Sequence, residues 1–238
     1  MVYDYKEGKK RISEILKNYM QVSEVEHIPN DDSFTFENAY YGWVTAIFVD
    51  IRNSTELFTG ESRVDVARII RSFTSEIIEI LRENDFLLEI GIRGDCVYAV
   101  YSSQTKKDEN DIFILACYVN NFIKMLNKLL TNNKLKNISV GIGMSTDQEI
   151  VIKAGRKHTG INSKVWIGNA VTTASNLSSI GNKNGKNPII ISEASYSNLN
   201  EHNQNLCTKT FDDNYNTVYE ADAIITDFND WINKEMLK

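Results

Sequence analysis

The order of apolar patterns along this 238-residue chain predicts an α/β (α+β) domain built on a βαββαβ unit. Three observations carry that expectation. A β-branched and aromatic run, Trp43 to Val49, ends abruptly on Asp50. Two long stretches with apolar residues at helical spacing each follow strand-like runs. Two further strand-like runs are joined only by the short turn Arg93-Gly94-Asp95. With 42% hydrophobic residues, two prolines and no low-complexity linker, the chain reads as one large domain, residues 39–238, behind an N-terminal helical extension, residues 1–38.

The elements follow in order. Ile12, Ile15 and Leu16 lie at helical spacing among charges between Lys9 and Tyr19, which predicts an amphipathic helix that docks on its own core or on a partner. After the Trp43–Val49 strand, Ser62 with Asp65 three residues on marks a helix start, and Val66, Ile69, Ile70, Phe73, Ile77 and Leu81 form its apolar stripe. Phe86 to Gly91 and Cys96 to Tyr101 are the hairpin strands. A second helix carries Ile112, Leu115, Val119, Phe122, Leu126 and Leu129. From Ile138 to Met144, apolar residues alternate with Ser139, Gly141 and Gly143, as in a strand. A strand over Glu149–Lys153, a helix over Asn169–Ser179, a strand over Ile189–Ile191 and a last helix near Trp231 complete the pattern. Strand, helix, strand, strand, helix, strand is the ferredoxin-like or split βαβ order.

That topology makes a geometric prediction. The third strand hairpins back beside the first, so the end of the first, Asp50, lies next to the start of the third, Asp95. Two carboxylates held together repel unless a divalent cation sits between them. Hard oxygen ligands suit Mg²⁺ or Mn²⁺, and two such ions per site are a known solution for in-line phosphoryl displacement. The short polar turn after Asp50, Arg52-Asn53-Ser54-Thr55, precedes a helix and is placed to cradle the β- and γ-phosphates with backbone N–H groups. Composition narrows the rest. A net charge of −6 supplies no basic field for a nucleic-acid template or an anionic membrane. Cys96, Cys117 and Cys207 are too scattered for a disulfide framework or a structural zinc site. No signal peptide and no apolar run long enough to span a bilayer is visible, so a soluble, cytoplasmic protein is expected.

At these residues the sequence resembles the class III adenylyl and guanylyl cyclases. Phe48 to Thr55 is similar to the family's F-x-D-I-x-x-F-T stretch, and Arg93 to Tyr98 to its G-D-C-x-Y turn. Val140 to Met144 is similar to V-G-I-G-I/M, Gly168 to Leu177 to W-G-N-x-V-N-x-A-S-R-M, and Ile190 to Ala194 to I-x-V-S-E-A. The resemblance implies closure of a nucleoside triphosphate to its 3′,5′-cyclic monophosphate, with pyrophosphate as leaving group. It implies a head-to-tail homodimer with active sites across the interface, and metal binding by Asp50 and Asp95 with the Ile51 carbonyl assisting.

The departures refine it. The family's purine-reading lysine and aspartate fall on Gly91 and Val165, and its transition-state asparagine and arginine on Thr172 and Asn176. Tyr41-Gly42-Trp43, Arg93, Ala154 to Lys157 and Val165 to Gly168 resemble instead the bacterial pyrimidine cyclases of anti-phage (Pycsar-type) systems, whose product activates a separate effector. Arg93 would shrink the pocket toward a single-ring base and offer donors to a pyrimidine carbonyl. Arg156 and Lys157 would supply the cation missing at Asn176. UTP is the favoured substrate and CTP the next. A purine cyclase with relocated specificity residues and an inactive nucleotide-binding module stay open as alternatives. Trp43 and Trp166 read as packing residues, His158 as a surface histidine, and Lys183 and Lys186 as parts of a solvated loop.

Overall fold

We describe the chain from a computed structural model, which covers residues 2–156, 160 and 162–236. Asp4 starts the first helix by accepting the amide N–H groups of Lys6 and Glu7 at 3.0 and 3.1 Å, so α1 spans Tyr5–Lys17. Its stripe of Ile12, Ile15 and Leu16 is exposed rather than docked on the chain's own core. Gln21–Glu24 form β1, which pairs in parallel with β2, Asn38–Ile51, so the N-terminal extension is not wholly helical. The next elements are α2 (Ser54–Gly60), α3 (Arg63–Leu81), β3 (Leu87–Arg93), β4 (Cys96–Ser102), α4 (Lys106–Asn132) and β5 (Val140–Gly155). β6 (Asn162–Gly168), α5 (Ala170–Ile180), β7 (Ile189–Ser192), α6 (Glu193–Asn198), α7 (Glu201–Gln204), β8 (Thr208–Phe211), β9 (Thr217–Ala221) and α8 (Thr226–Glu235) follow.

The expected hairpin-back topology is present. The sheet runs β3-β4-β2-β5-β7-β9-β8, with β4 antiparallel to β2 and Asp50 opposite Cys96. Ser62 caps α3 through its hydroxyl, as its position three residues before Asp65 predicts. The sequence divided β5 into two strands, but it is one of 16 residues. Asp147 and Gln148 read as a break because they are polar. They continue the ladder because β2 pairs with them through Trp43 and Val44.

Burial divides the sheet into two faces. Ile47, Val49 and Ile51 point to α3 and α4, where Phe73, Ile77, Ile112 and Phe113 are fully buried. Each such side chain contributes about 1.5–3 kcal/mol of transfer free energy. Val44, Ala46 and Phe48 point the other way, to a smaller cluster with Ile28, Phe34, Ala170 and Ala174. Among the described residues, only α5 and the Ile28–Phe34 segment contribute to that second cluster from outside the strands and their edges, and the candidate site opens on this face.

Candidate active site

Backbone bonds tie the end of β2 to the residue before β4 on one side and to the residue before β5 on the other. The Ile51 amide donates to the Asp95 carbonyl at 3.4 Å, and the Arg52 amide donates to the Ser139 carbonyl at 2.8 Å. Gly94 closes the turn with φ of +64°, where a side chain is strained. Asp50 and Asp95 therefore lie side by side. Burial raises the Asp50 carboxyl above its ordinary range, Asp95 pushes it the same way, and Arg52 and Lys183 pull it down.

Two of these neighbours were not legible in the sequence. Arg52 stood only as part of a polar turn, yet its side chain is 7% exposed and pairs with the Asp50 carboxylate. It also donates to the Ser179 carbonyl at 2.6 Å, tying the end of α5 to Asp50. Lys183, read as part of a solvated loop, lies close enough for its charge to act on Asp50. Among the described residues, no group of three or more His, Cys, Asp and Glu is placed to hold a metal alone. The two carboxylates and the Ile51 carbonyl thus fit a hard divalent cation only if phosphate oxygens or water complete the shell.

Asn53 turns the chain into α2 in the left-handed conformation, φ 54°, and its carbonyl accepts from the Glu56 amide at 2.9 Å. Ser54 and Thr55 then occupy the first positions of the helix, whose initial N–H groups have no partner within the helix. This puts the expected phosphate turn two residues beyond Ile51.

The placement of α5 explains the glycine alternation in β5. A Cβ on Gly141 would lie 2.0 Å from the Ser178 carbonyl oxygen, and one on Gly143 would lie 2.0 Å from that of Ala174. The helix lies on the strand with no side chain between them. Its first turn is capped from β5: the Glu149 carboxylate, fully buried, accepts from the Val171 amide at 3.2 Å, and Asp147 accepts from the Asn169 side chain at 3.1 Å. Nothing in the local pattern marks Glu149, because the contact joins residues 22 apart.

Thr172 and Asn176 lie on the exposed face of α5, one turn apart. Asn176 borders a cavity of about 530 Å³ shared with Asp212, Asn214 and Asn216. Arg156 follows the end of β5, whereas Gly141, which faces Asp50, is near its start. Within one chain, therefore, Arg156 lies at the opposite end of β5 from the Asp50–Asp95 pair. Lys157 and His158 lie outside the described residues.

On the other side of Asp95, Arg93 is exposed at the end of β3. Tyr98 stacks on Phe48 with ring centroids 5.1 Å apart and donates to Glu89 at 2.6 Å. Trp166 is more than a packing group, since its indole N–H donates to the other Glu89 oxygen at 2.9 Å. Glu89, Tyr98, Lys153 and Lys164 line an open cavity of about 530 Å³ on this face.

The chain belongs to the adenylate and guanylate cyclase catalytic domain family, whose sequence profile matches residues 36–217. It is 58% identical to a uridylate cyclase of Treponema porcinum over 238 residues, all of this chain and 83% of that one. It is 31% identical to a uridylate cyclase of Gulbenkiania mobilis over 188 residues, 76% of this chain and 73% of that one. The fold resembles the adenylyl cyclase CyaB of P. aeruginosa with a TM-score of 0.64 at 19% identity, over 77% of this chain and 95% of that one.

Proposed function

We propose that this protein converts UTP to 3′,5′-cyclic UMP and pyrophosphate, with CTP as the next-best substrate. The observation that carries this is the paired Asp50 and Asp95 at the joined ends of β2 and β4. The uridylate cyclase relatives support the choice of base. Asp50, Asp95 and the Ile51 carbonyl would hold two divalent ions, Mg²⁺ or Mn²⁺, which supply charge neutralisation at the ribose 3′-hydroxyl and along the triphosphate.

The chain's own groups do the positioning. The turn at Asn53, Ser54 and Thr55 receives the β- and γ-phosphates on backbone N–H groups. Arg93 reaches the base. Arg52, bonded to both the Asp50 carboxylate and the Ser179 carbonyl, keeps a positive charge beside Asp50.

Thr172 and Asn176 point out from α5, and Arg156 lies beyond the far end of β5. A head-to-tail homodimer would bring these residues of one protomer to the aspartates of its partner. Residues 39–238 form the catalytic domain, with residues 1–38 as its extension. The cyclic product serves as a messenger for a separately encoded effector in anti-phage defence. Among the described residues no helix is long and apolar enough to cross a membrane.

Replacing Asp50 or Asp95 by alanine tests the assignment. Pyrophosphate release and cyclic product should both vanish while circular dichroism and oligomeric state stay as in wild type. Turnover retained in either variant refutes it.

A further inference from the structure

We propose that the phenolic oxygen of Tyr98 reads the N3–H of a uracil base, and that Glu89 fixes the direction in which this oxygen accepts. The inference deepens the pyrimidine-cyclase reading and rests on it. The geometry begins at Gly91. A Cβ there would lie 2.6 Å from Tyr98 Cε1 and 2.7 Å from its hydroxyl oxygen, so any side chain at 91 would displace the ring. Glycine lets the phenol end of Tyr98 lie across β3, directly on the backbone. Phe48 holds the ring from the neighbouring strand, in register with it.

Two hydrogen bonds then decide what the hydroxyl can offer. Its proton goes to Glu89 Oε1, 2.6 Å away, and the Trp166 indole N–H holds Glu89 Oε2 at 2.9 Å. A carboxylate only accepts, so the phenol must donate toward Glu89. Burial, and then the bond to Glu89, push Tyr98 up to about 12, so it keeps that proton. The lone pairs left on the oxygen make it an acceptor for a third group. Tyr98 and Glu89 both line the open cavity of about 530 Å³.

The position also suits a base. Tyr98 faces Phe48, which is two residues before Asp50 on the same side of β2. Two residues of strand span about 7 Å, on the order of the distance from a nucleotide's phosphate to the far, N3-bearing edge of its pyrimidine. Uracil carries a proton at N3 and cytosine carries a bare lone pair there, so an acceptor fixed at that point favours uracil and repels cytosine.

The test is the ratio of kcat/KM for UTP to that for CTP in wild type, Tyr98→Phe and Glu89→Gln. Tyr98→Phe keeps the ring, its stack on Phe48 and its seat on Gly91, and removes only the oxygen. It should lower kcat/KM for UTP about tenfold or more while changing CTP by less than about threefold. Glu89→Gln frees the hydroxyl to turn and donate, and should raise CTP turnover relative to UTP by several-fold. An equal loss on both substrates, or no change in the ratio in either variant, overturns the base-reading role while the cyclase assignment stands. Wild-type protein that cyclises neither pyrimidine overturns the functional reading itself, and this proposal with it.

Discussion

Replacing Gly143 with alanine inserts a methyl group where α5 already runs. The new Cβ would sit 2.0 Å from the Ala174 carbonyl oxygen and 2.3 Å from the Ser178 nitrogen, whereas ordinary contact begins at 3.4 Å. Both neighbours are backbone atoms of one helix, so no side chain can swing aside. The helix must retreat by about 1.4 Å, the difference between 3.4 and 2.0 Å. Overpacking of this kind costs about 1–3 kcal/mol. For a chain of this size each kcal/mol moves Tm by about 2–4 °C, which gives a fall of about 2–12 °C. The helix also carries Thr172 and Asn176, and displacement of catalytic groups by about 1 Å can cost on the order of a hundredfold in rate. Scanning calorimetry and a pyrophosphate-release assay on the same preparation measure both effects. A variant with wild-type Tm and wild-type kcat would refute the claim that α5 rests directly on β5.

Other consequences are independent of that contact. Burial pushes the Glu109 carboxyl up to about 7 against 4.5, partly offset by hydrogen bonds from Thr146 and Asn198. The folded state therefore binds more protons than the unfolded one between these values, so this group makes stability fall as pH rises from about 4.5 to 7. Glu109→Gln should remove that slope, as urea denaturation across the range will show. Tyr101 is fully buried and donates to the Leu81 carbonyl at 2.7 Å, so Tyr101→Phe should destabilise by about 1–3 kcal/mol with kcat unchanged. If sites span two chains, mixing inactive Asp95→Ala with inactive Asn176→Ala protein should restore about a quarter of wild-type activity through mixed dimers. No recovery after subunit exchange would place the whole site in one chain.

What could be read from the sequence followed from local signals. The β-branched run into Asp50, the cap at Ser62 and the stripes of α3 and α4 each carry their period in consecutive residues. The juxtaposition of Asp50 with Asp95 followed from topology alone, because a hairpin can return beside the first strand in few ways. Elements with four to seven residues and mixed polarity, β1, β6, β8 and β9, left no period long enough to detect. The missed site residues share another cause. Arg52 bonding to Ser179, Glu149 capping α5 and Trp166 holding Glu89 are contacts between residues 127, 22 and 77 positions apart. The alternation of Gly141 and Gly143 was visible as a strand, but its reason, the backbone of α5 lying against it, was not.

The measurement that bears most directly on the central claim is turnover by purified protein with Mn²⁺ or Mg²⁺, given UTP, CTP, ATP or GTP separately, with products identified by mass. The account predicts cyclic UMP as the major product, less cyclic CMP, and release of one pyrophosphate for each. Cyclic AMP or cyclic GMP as the major product would contradict the pyrimidine assignment, and no cyclic product from any of the four would contradict catalysis by the Asp50–Asp95 pair.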